Sequence, residues 1–253
     1  MTTITLEHDE HGICTLLFTS GRGNPLTPKL VQEFNQALDG LHEHPPRALI
    51  IHTNGAPIFS GGFALPIIAS WPRKDIDIFF RSFLDIVYKI MSLPCPTISA
   101  IDGHAIAGGF ILSLATDQRI IKEGRAKFGL SEVDLGVALP AGAGVLFSYR
   151  CSSRVALYHS MSGRLFDTQR ALEIGYADKI CADPLKAAME EALFFAQKPG
   201  FGSGMTRVFF NDIIIAEMKA ADEKFMEKFL DSWFSEEGQF AIRTLAAKLS
   251  KSK

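Results

Sequence analysis

The chain has 253 residues, 47% of them hydrophobic and 21% charged, and 26 Lys and Arg against 28 Asp and Glu leave a formal charge of −2. That balance gives no electrostatic case for nucleic acid, no apolar run reaches bilayer-spanning length, and the apolar fraction suffices for a large buried core. Cys14, Cys95, Cys151 and Cys181 lie far apart, without zinc or C-x-x-C spacing, which predicts reduced thiols and no metal site.

The start, MTTITLEHDEHG, has no basic region followed by an apolar run, so the expected location is the cytoplasm or an organelle matrix. Strands are expected at Thr3 to Glu7 and Ile13 to Phe18. A helix begins at Pro28, with Thr27 as N-cap and Leu30, Phe34, Leu38 and Leu41 on one face. Arg47 to Thr53 (RALIIHT) reads as a buried strand that runs into Phe59-Ser60-Gly61-Gly62-Phe63, where paired glycines let the backbone bend and present its amides. A helix over Arg73 to Ser92 is followed by a β-branched strand from Pro96 to Ile101. Gly108 and Gly109 then open a helix through Ala115, and a helix that begins on glycines turns unpartnered N–H groups outward. A strand at Gln118 to Lys122 precedes Phe128-Gly129-Leu130-Ser131-Glu132-Val133-Asp134-Leu135-Gly136. Helices at Pro140 to Tyr149, Ser153 to Met161 and Thr168 to Glu173, a strand at Asp178 to Cys181 and a helical remainder after Asp183 complete the pattern of a mixed α/β fold. An α/β core over residues 1–195 and a helical region over 196–253 are the expected divisions.

Two glycine loops, each after a strand, can aim one N–H apiece at a single oxygen, which is the geometry of an oxyanion hole. Glu132 supplies an acid, and its apolar neighbours Leu130, Val133 and Leu135 predict a pKa raised toward the range useful for proton transfer. Other features read as structural. Leu41-His42-Glu43-His44 is a solvated helix end, His104 shapes the glycine turn, Gly202-Ser203-Gly204 marks a turn, Ala141-Gly142-Ala143-Gly144 is a loose helix start, and KLSKSK is a solvated tail. Asp134 is read as structuring its loop.

Three segments, FSGGFAL, PTISAIDGHAIAGGFILSLATDQRI and KFGLSEVDLGVALPAGAG, resemble the enoyl-CoA hydratase/isomerase (crotonase) superfamily in family order and spacing, over roughly residues 10 to 185. The resemblance implies a crotonase-like spiral of repeated β-β-α units with a helical C-terminal region. It implies an acyl-CoA thioester as substrate, with no cofactor beyond the CoA that the substrate carries. The oxyanion donors fall on the backbone N–H groups of Phe63 and Gly108, and Glu132 matches the second of two family glutamates. The first falls on Ile111, which can neither take a proton nor orient water, so the resemblance favours a 1,3-proton shift over hydration. The SEVDL segment and the spacing from Glu132 to Pro140 are similar to Δ3,Δ2-enoyl-CoA isomerases of fatty acid breakdown. Substrate-lining positions are then Arg22, Gly61, Gly62, Phe63, Leu65, Gly108, Ile111 and Leu139, with Arg22 and Lys29 facing the CoA phosphates or serving as solvated surface charge. Phe63 is a bulky ring where many relatives carry a small residue, and it either lines or closes the acyl pocket. Relatives also imply a homotrimer or a dimer of trimers, closed by the C-terminal helices. Another single-acid reaction on acyl-CoA, such as hydration, dienoyl isomerisation, decarboxylation or thioester hydrolysis, stays open, as does an acyl-CoA-binding protein without catalysis.

Overall fold

A computed structural model of the chain describes residues 3–251. The chain winds as a repeated strand-strand-helix unit. β1 (Ile4–His8) and β2 (Ile13–Phe18) lead into α1 (Pro28–Glu43); β3 (Ala48–His52) and β4 (Ile58–Ser60) lead into α2 (Leu65–Ile68) and α3 (Arg73–Ser92). β5 (Thr97–Ile101) and β6 (His104–Ile106) lead into α4 (Gly108–Leu114), and β7 (Gln118–Lys122) and β8 (Lys127–Gly129) lead into a 3-10 turn (Glu132–Leu135) and α5 (Ala141–Arg150). Then come α6 (Ser153–Ser162), β9 (Phe166–Asp167), α7 (Thr168–Glu173), β10 (Lys179–Cys181), α8 (Pro184–Ala196), α9 (Gly200–Trp233) and α10 (Glu236–Lys251).

The first strand of each unit joins one sheet, ordered β1-β2-β3-β5-β7-β10, and from the second unit on the second strand joins another, ordered β4-β6-β8-β9. β3 and β5 are buried at every position, as parallel strands covered on both faces must be. Alternate side chains serve the two faces. Ala48, Ile50, Ile98 and Ala100 meet Ala187, Ala188 and Ala192 of α8, small residues that let the helix lie close, while Leu49, Ile51 and Ile101 face the main core. Thr27 caps α1 through its hydroxyl, which accepts the Leu30 N–H at 3.1 Å.

Two expectations need correction. The sequence reading attached the glycine loops and Glu132 to strands of the large sheet, yet β4, β6 and β8 intervene and carry them on the small one. Strands of three residues are too short to display a period of two. Gly202-Ser203-Gly204 is no turn but part of α9, where the open side of Gly204 is pressed against the Pro94 carbonyl. The KLSKSK segment is solvated as expected, helical and exposed through Lys251, and its last two residues lie outside the described ones.

The long helix α9 is bolted to its own core by buried polar groups. Arg207 donates to the carbonyls of Ile90, Met91 and Leu93 at the end of α3 and pairs with Asp117 at 2.6 Å, and Asn211 Nδ2 donates to Met91 O at 2.9 Å. A carboxylate further along, Asp222, accepts the Gly142 N–H in the first turn of α5 at 2.7 Å and the hydroxyl of Tyr88 on α3. Burial holds the Asp222 carboxyl above its ordinary pKa, against the opposing pull of the two donors. Replacement Asp222→Ala strands both donors, so we expect a loss of about 3 kcal/mol in urea unfolding, since each buried unsatisfied donor costs about 1–3 kcal/mol. An effect below 1 kcal/mol would show that α9 does not depend on this carboxylate.

Candidate active site

The carboxyl ends of β4, β6 and β8 lie side by side, because the three strands are parallel: past a bulge between Ile58 and Ser60 in β4, Ser60 pairs with Ala105, Ala105 with Phe128, and Ile106 with Gly129. From these ends spring the loop to Phe63, the entry to α4 at Gly108, and the turn bearing Glu132. Residues far apart in sequence thus emerge together at one edge of a small sheet.

The first loop is held by the segment before α1. Leu26 N–H donates to Gly62 O at 2.8 Å and Leu26 O accepts the Ala64 N–H at 3.1 Å, a parallel bridge between Leu26 and Phe63. In such a bridge the N–H of Phe63 itself points away from Leu26. Gly61 N–H donates to Gly23 O, and the Asn24 side chain donates to Phe59 O at 2.8 Å. Gly62 sits at φ +93°, open to glycine without strain, and a Cβ placed there would stand 3.5 Å from the Gly108 nitrogen. The two glycine loops therefore touch.

The second loop turns at Ala107, whose φ of 51° and ψ of −124° are unfavourable for an L-residue. The strained turn is pinned by the Ala107 N–H on Gly129 O at 2.9 Å. It presents Gly108 as the first residue of α4. Gly109 follows so close to β4 that an added Cβ would lie 2.6 Å from Ser60 Cβ and collide with the Ser60 carbonyl.

Glu132 opens the 3-10 turn. The residue is half-buried overall, yet both carboxylate oxygens are sealed from solvent and neither meets a hydrogen-bond partner among the described residues. Burial pushes its pKa up from 4.5 to about 7, with weaker opposition from the nearby N–H groups of Glu132 and Ser131. α10 lies against both α2 and the 3-10 turn, and Ala138 N–H donates to Ser232 Oγ at the end of α9 at 3.0 Å. A desolvated carboxylate with a pKa near neutrality is suited to taking and returning a proton.

The remaining expected residues fall around these loops to different degrees. Ile111 on α4 and Leu65 on α2 are buried, Leu139 packs on the core while half-buried, and Gly61 is exposed beside the first loop. Arg22 is exposed in the segment whose Gly23 carbonyl braces Gly61, and Lys29 is exposed on the first turn of α1. Asp134 turns elsewhere: its Oδ1 lies 2.8 Å from where a Cβ on Gly163 would stand, at the end of α6. His104 accepts the Lys127 N–H on Nδ1 at 3.0 Å and so links β6 to β8.

Sequence reading missed an aromatic cluster beside the glycine loops. The Phe63 ring meets Phe79, Phe80 and Phe83 of α3 edge-on, and Phe80 continues to Phe229 and Trp233 of α9. The density of rings in Trp71 to Phe83 was its available signal. Two cavities of about 380 and 340 Å³ lie at the opposite, amino-terminal edge of the large sheet, around Pro96 and Phe195, and share no residue with the Glu132 loops. The charged groups of the first cavity, Asp117 and Arg207, are already paired with each other.

The sequence model of the family described as enoyl-CoA hydratase/isomerase matches residues 8–224. A probable enoyl-CoA hydratase EchA17 of Mycobacterium tuberculosis is 28% identical over 205 residues, covering 80% of this chain and 78% of that protein. An enoyl-CoA hydratase (ECHA3) of Mycobacterium marinum superposes with a TM-score of 0.80 at 26% identity, over 90% of this chain and 99% of that one. Human mitochondrial delta3-delta2-enoyl-CoA isomerase superposes with a TM-score of 0.92 over 99% of both chains, at 19% identity, a match that speaks for the fold alone. The expected crotonase-like α/β fold with a helical C-terminal region is the fold observed.

The raised pKa of Glu132 has a consequence for stability. Between its ordinary value of 4.5 and about 7 the folded chain keeps a proton that the unfolded chain has lost, so stability falls as pH rises across that window. The full penalty is about 3 kcal/mol at 1.36 kcal/mol per pKa unit. Glu132→Gln removes it. Urea unfolding should show the variant gaining on the parent by about 2 kcal/mol between pH 5.5 and pH 8; parallel pH curves would mean that Glu132 is not desolvated.

Proposed function

The chain belongs to the enoyl-CoA hydratase/isomerase family, and from that premise we propose that it moves the double bond of a 3-enoyl-CoA thioester to the 2-position. One observation carries the reading: Glu132 is a single sealed carboxylate without a hydrogen-bond partner among the described residues, on a turn beside two glycine loops, while position 111 holds a buried isoleucine.

The thioester oxygen accepts the N–H groups of Phe63 and Gly108. Ionised Glu132 takes a proton from C2, the electron pair passes through the carbonyl to give a dienolate, and charge collects on the held oxygen. Each preorganised donor there contributes about 3 kcal/mol. Protonated Glu132 then delivers the same proton to C4, which leaves the double bond between C2 and C3. Substrate and product have the same composition, and the enzyme returns to its starting state. The pKa of about 7 serves both halves of the cycle, since a much stronger acid would be a poor base toward C2.

Hydration is the second reading, favoured by the names of relatives such as the M. tuberculosis protein. It needs a group to orient water as well as an acid, and the buried Ile111 supplies neither function. We also propose that α9 packs on further copies of the chain in a trimer or dimer of trimers, which would cover the exposed Phe201, Phe209, Phe210 and Ile213. Light scattering at one protomer mass would end that assignment.

With 3-hexenoyl-CoA as substrate, we expect growth of the absorbance of the conjugated thioester, and a fall of roughly 10³-fold in kcat for Glu132→Gln. The acid limb of kcat/KM should bend near pH 7 and descend about tenfold per pH unit below it, because the base must be ionised to act. Turnover of 2-hexenoyl-CoA to the 3-hydroxy product at a higher rate than isomerisation would favour hydration instead.

A further inference from the structure

Phe63 places two different groups at the same point. Its main-chain N–H is one of the two proposed oxyanion donors, and its ring reaches across to the other. A Cβ built on Gly108 would stand 2.9 Å from Phe63 Cζ and 3.2 Å from Cε1, with Leu26 Cδ1 at 2.8 Å. The ring tip is therefore in contact with the residue whose amide shares the thioester oxygen. Carbon atoms attached to that carbonyl start within reach of the ring.

The ring is also hard to displace. Phe79, Phe80 and Phe83 surround it with ring centroids 5.5, 4.8 and 4.9 Å away, in the edge-to-face arrangement that aromatic pairs prefer. These three rings are themselves 5%, 2% and 0% exposed, so none can yield by swinging into solvent. Behind Phe80 stand Phe229 at 4.6 Å and Trp233 at 5.3 Å, which tie the cluster to α9. Phe63 differs from its neighbours in being only half-buried, so part of its surface still faces outward from the cluster.

We propose that the Phe63 ring ends the acyl pocket and selects short acyl groups over long ones. The proposal rests on the acyl-CoA reading above and gives it a substrate class, thioesters of short acyl chains. Specificity comes from the close packing of the cluster. A long chain would need the volume that the ring occupies, and a close-packed aromatic wall does not open for one ligand atom at a time. Discrimination of this kind is steep, since one methylene at an apolar pocket changes the specificity ratio by roughly 10-fold or more.

The test uses Phe63→Ala and Phe63→Leu, which keep the main-chain donor, beside the parent and Phe34→Leu. Phe34 is wholly buried on α1 and paired with Phe18, outside the ring cluster of Phe63, Phe79, Phe80 and Phe83, so it reports on a core loosened without touching that cluster. We expect the parent to favour 3-hexenoyl-CoA over 3-decenoyl-CoA by at least tenfold in kcat/KM. Phe63→Ala should raise the ten-carbon to six-carbon ratio at least tenfold, Phe63→Leu should fall between, and Phe34→Leu should leave the ratio alone. Equilibrium binding of hexanoyl-CoA and decanoyl-CoA reads the same ratio without turnover, so absence of isomerisation sinks the reaction assigned above and leaves the length selection to be judged by binding. A parent that takes both lengths equally, a folded Phe63→Ala protein with an unaltered ratio, or an equal change in Phe34→Leu would overturn the role of Phe63.

Discussion

Backbone contact between the start of α4 and the end of β4 is the constraint on which the site depends. The two proposed oxyanion donors belong to different turns of the spiral, and nothing in the register of either sheet alone sets the distance between them. Gly109 does so, because it lets the helix settle on Ser60 with no side chain interposed. One added methyl group would collide with the Ser60 carbonyl and lift Gly108 away from the Phe63 loop. Strain at Ala107 fits the same account: the chain must turn from β6 into α4 within one residue, and the hydrogen bond to Gly129 holds it there.

That contact fixes the donors, while burial fixes the acid. Glu132 gains its raised pKa from lost solvation and not from a neighbouring charge, so its behaviour depends on whatever keeps water out. α10 packs against the turn that bears Glu132, and α9, which leads into α10, is fastened by Arg207, Asn211 and Asp222. A second carboxylate at position 111 would couple to the first and split the titration between them; a buried isoleucine leaves one group with one proton.

Much of this was legible in the sequence because glycine and β-branched residues leave strong local signals. The runs ALIIH and TISAI mark strands buried on both faces, and Thr27-Pro28 marks a helix start. The GG pairs marked the loops, and the apolar residues about Glu132 pointed to its desolvation. The small sheet was invisible, since two or three residues per strand show no period, and with it went the reason the loops meet. Gly202-Ser203-Gly204 misled because glycine serves close packing as well as turns, and only the neighbouring Pro94 distinguishes the two. The aromatic cluster joins residues 63, 80 and 233, a separation that no local pattern carries.

The division between main chain and side chain also explains how one fold can host proteins named for different reactions. Oxyanion donors are peptide groups, so they survive almost any substitution that preserves the loops, and likeness of fold says little about what happens to the proton. That depends on how many acids face the acyl group and how strongly each is desolvated. Hydration moves a water molecule and a proton to two carbons and needs a polar site to hold the water. A 1,3-shift moves one proton between two carbons and is helped by a site that excludes water, because a carboxyl open to solvent keeps its ordinary low pKa, and so is a weaker base toward C2 and loses the proton it takes to water. The sealed oxygens of Glu132 and the buried side chain of Ile111 meet the second requirement and conflict with the first.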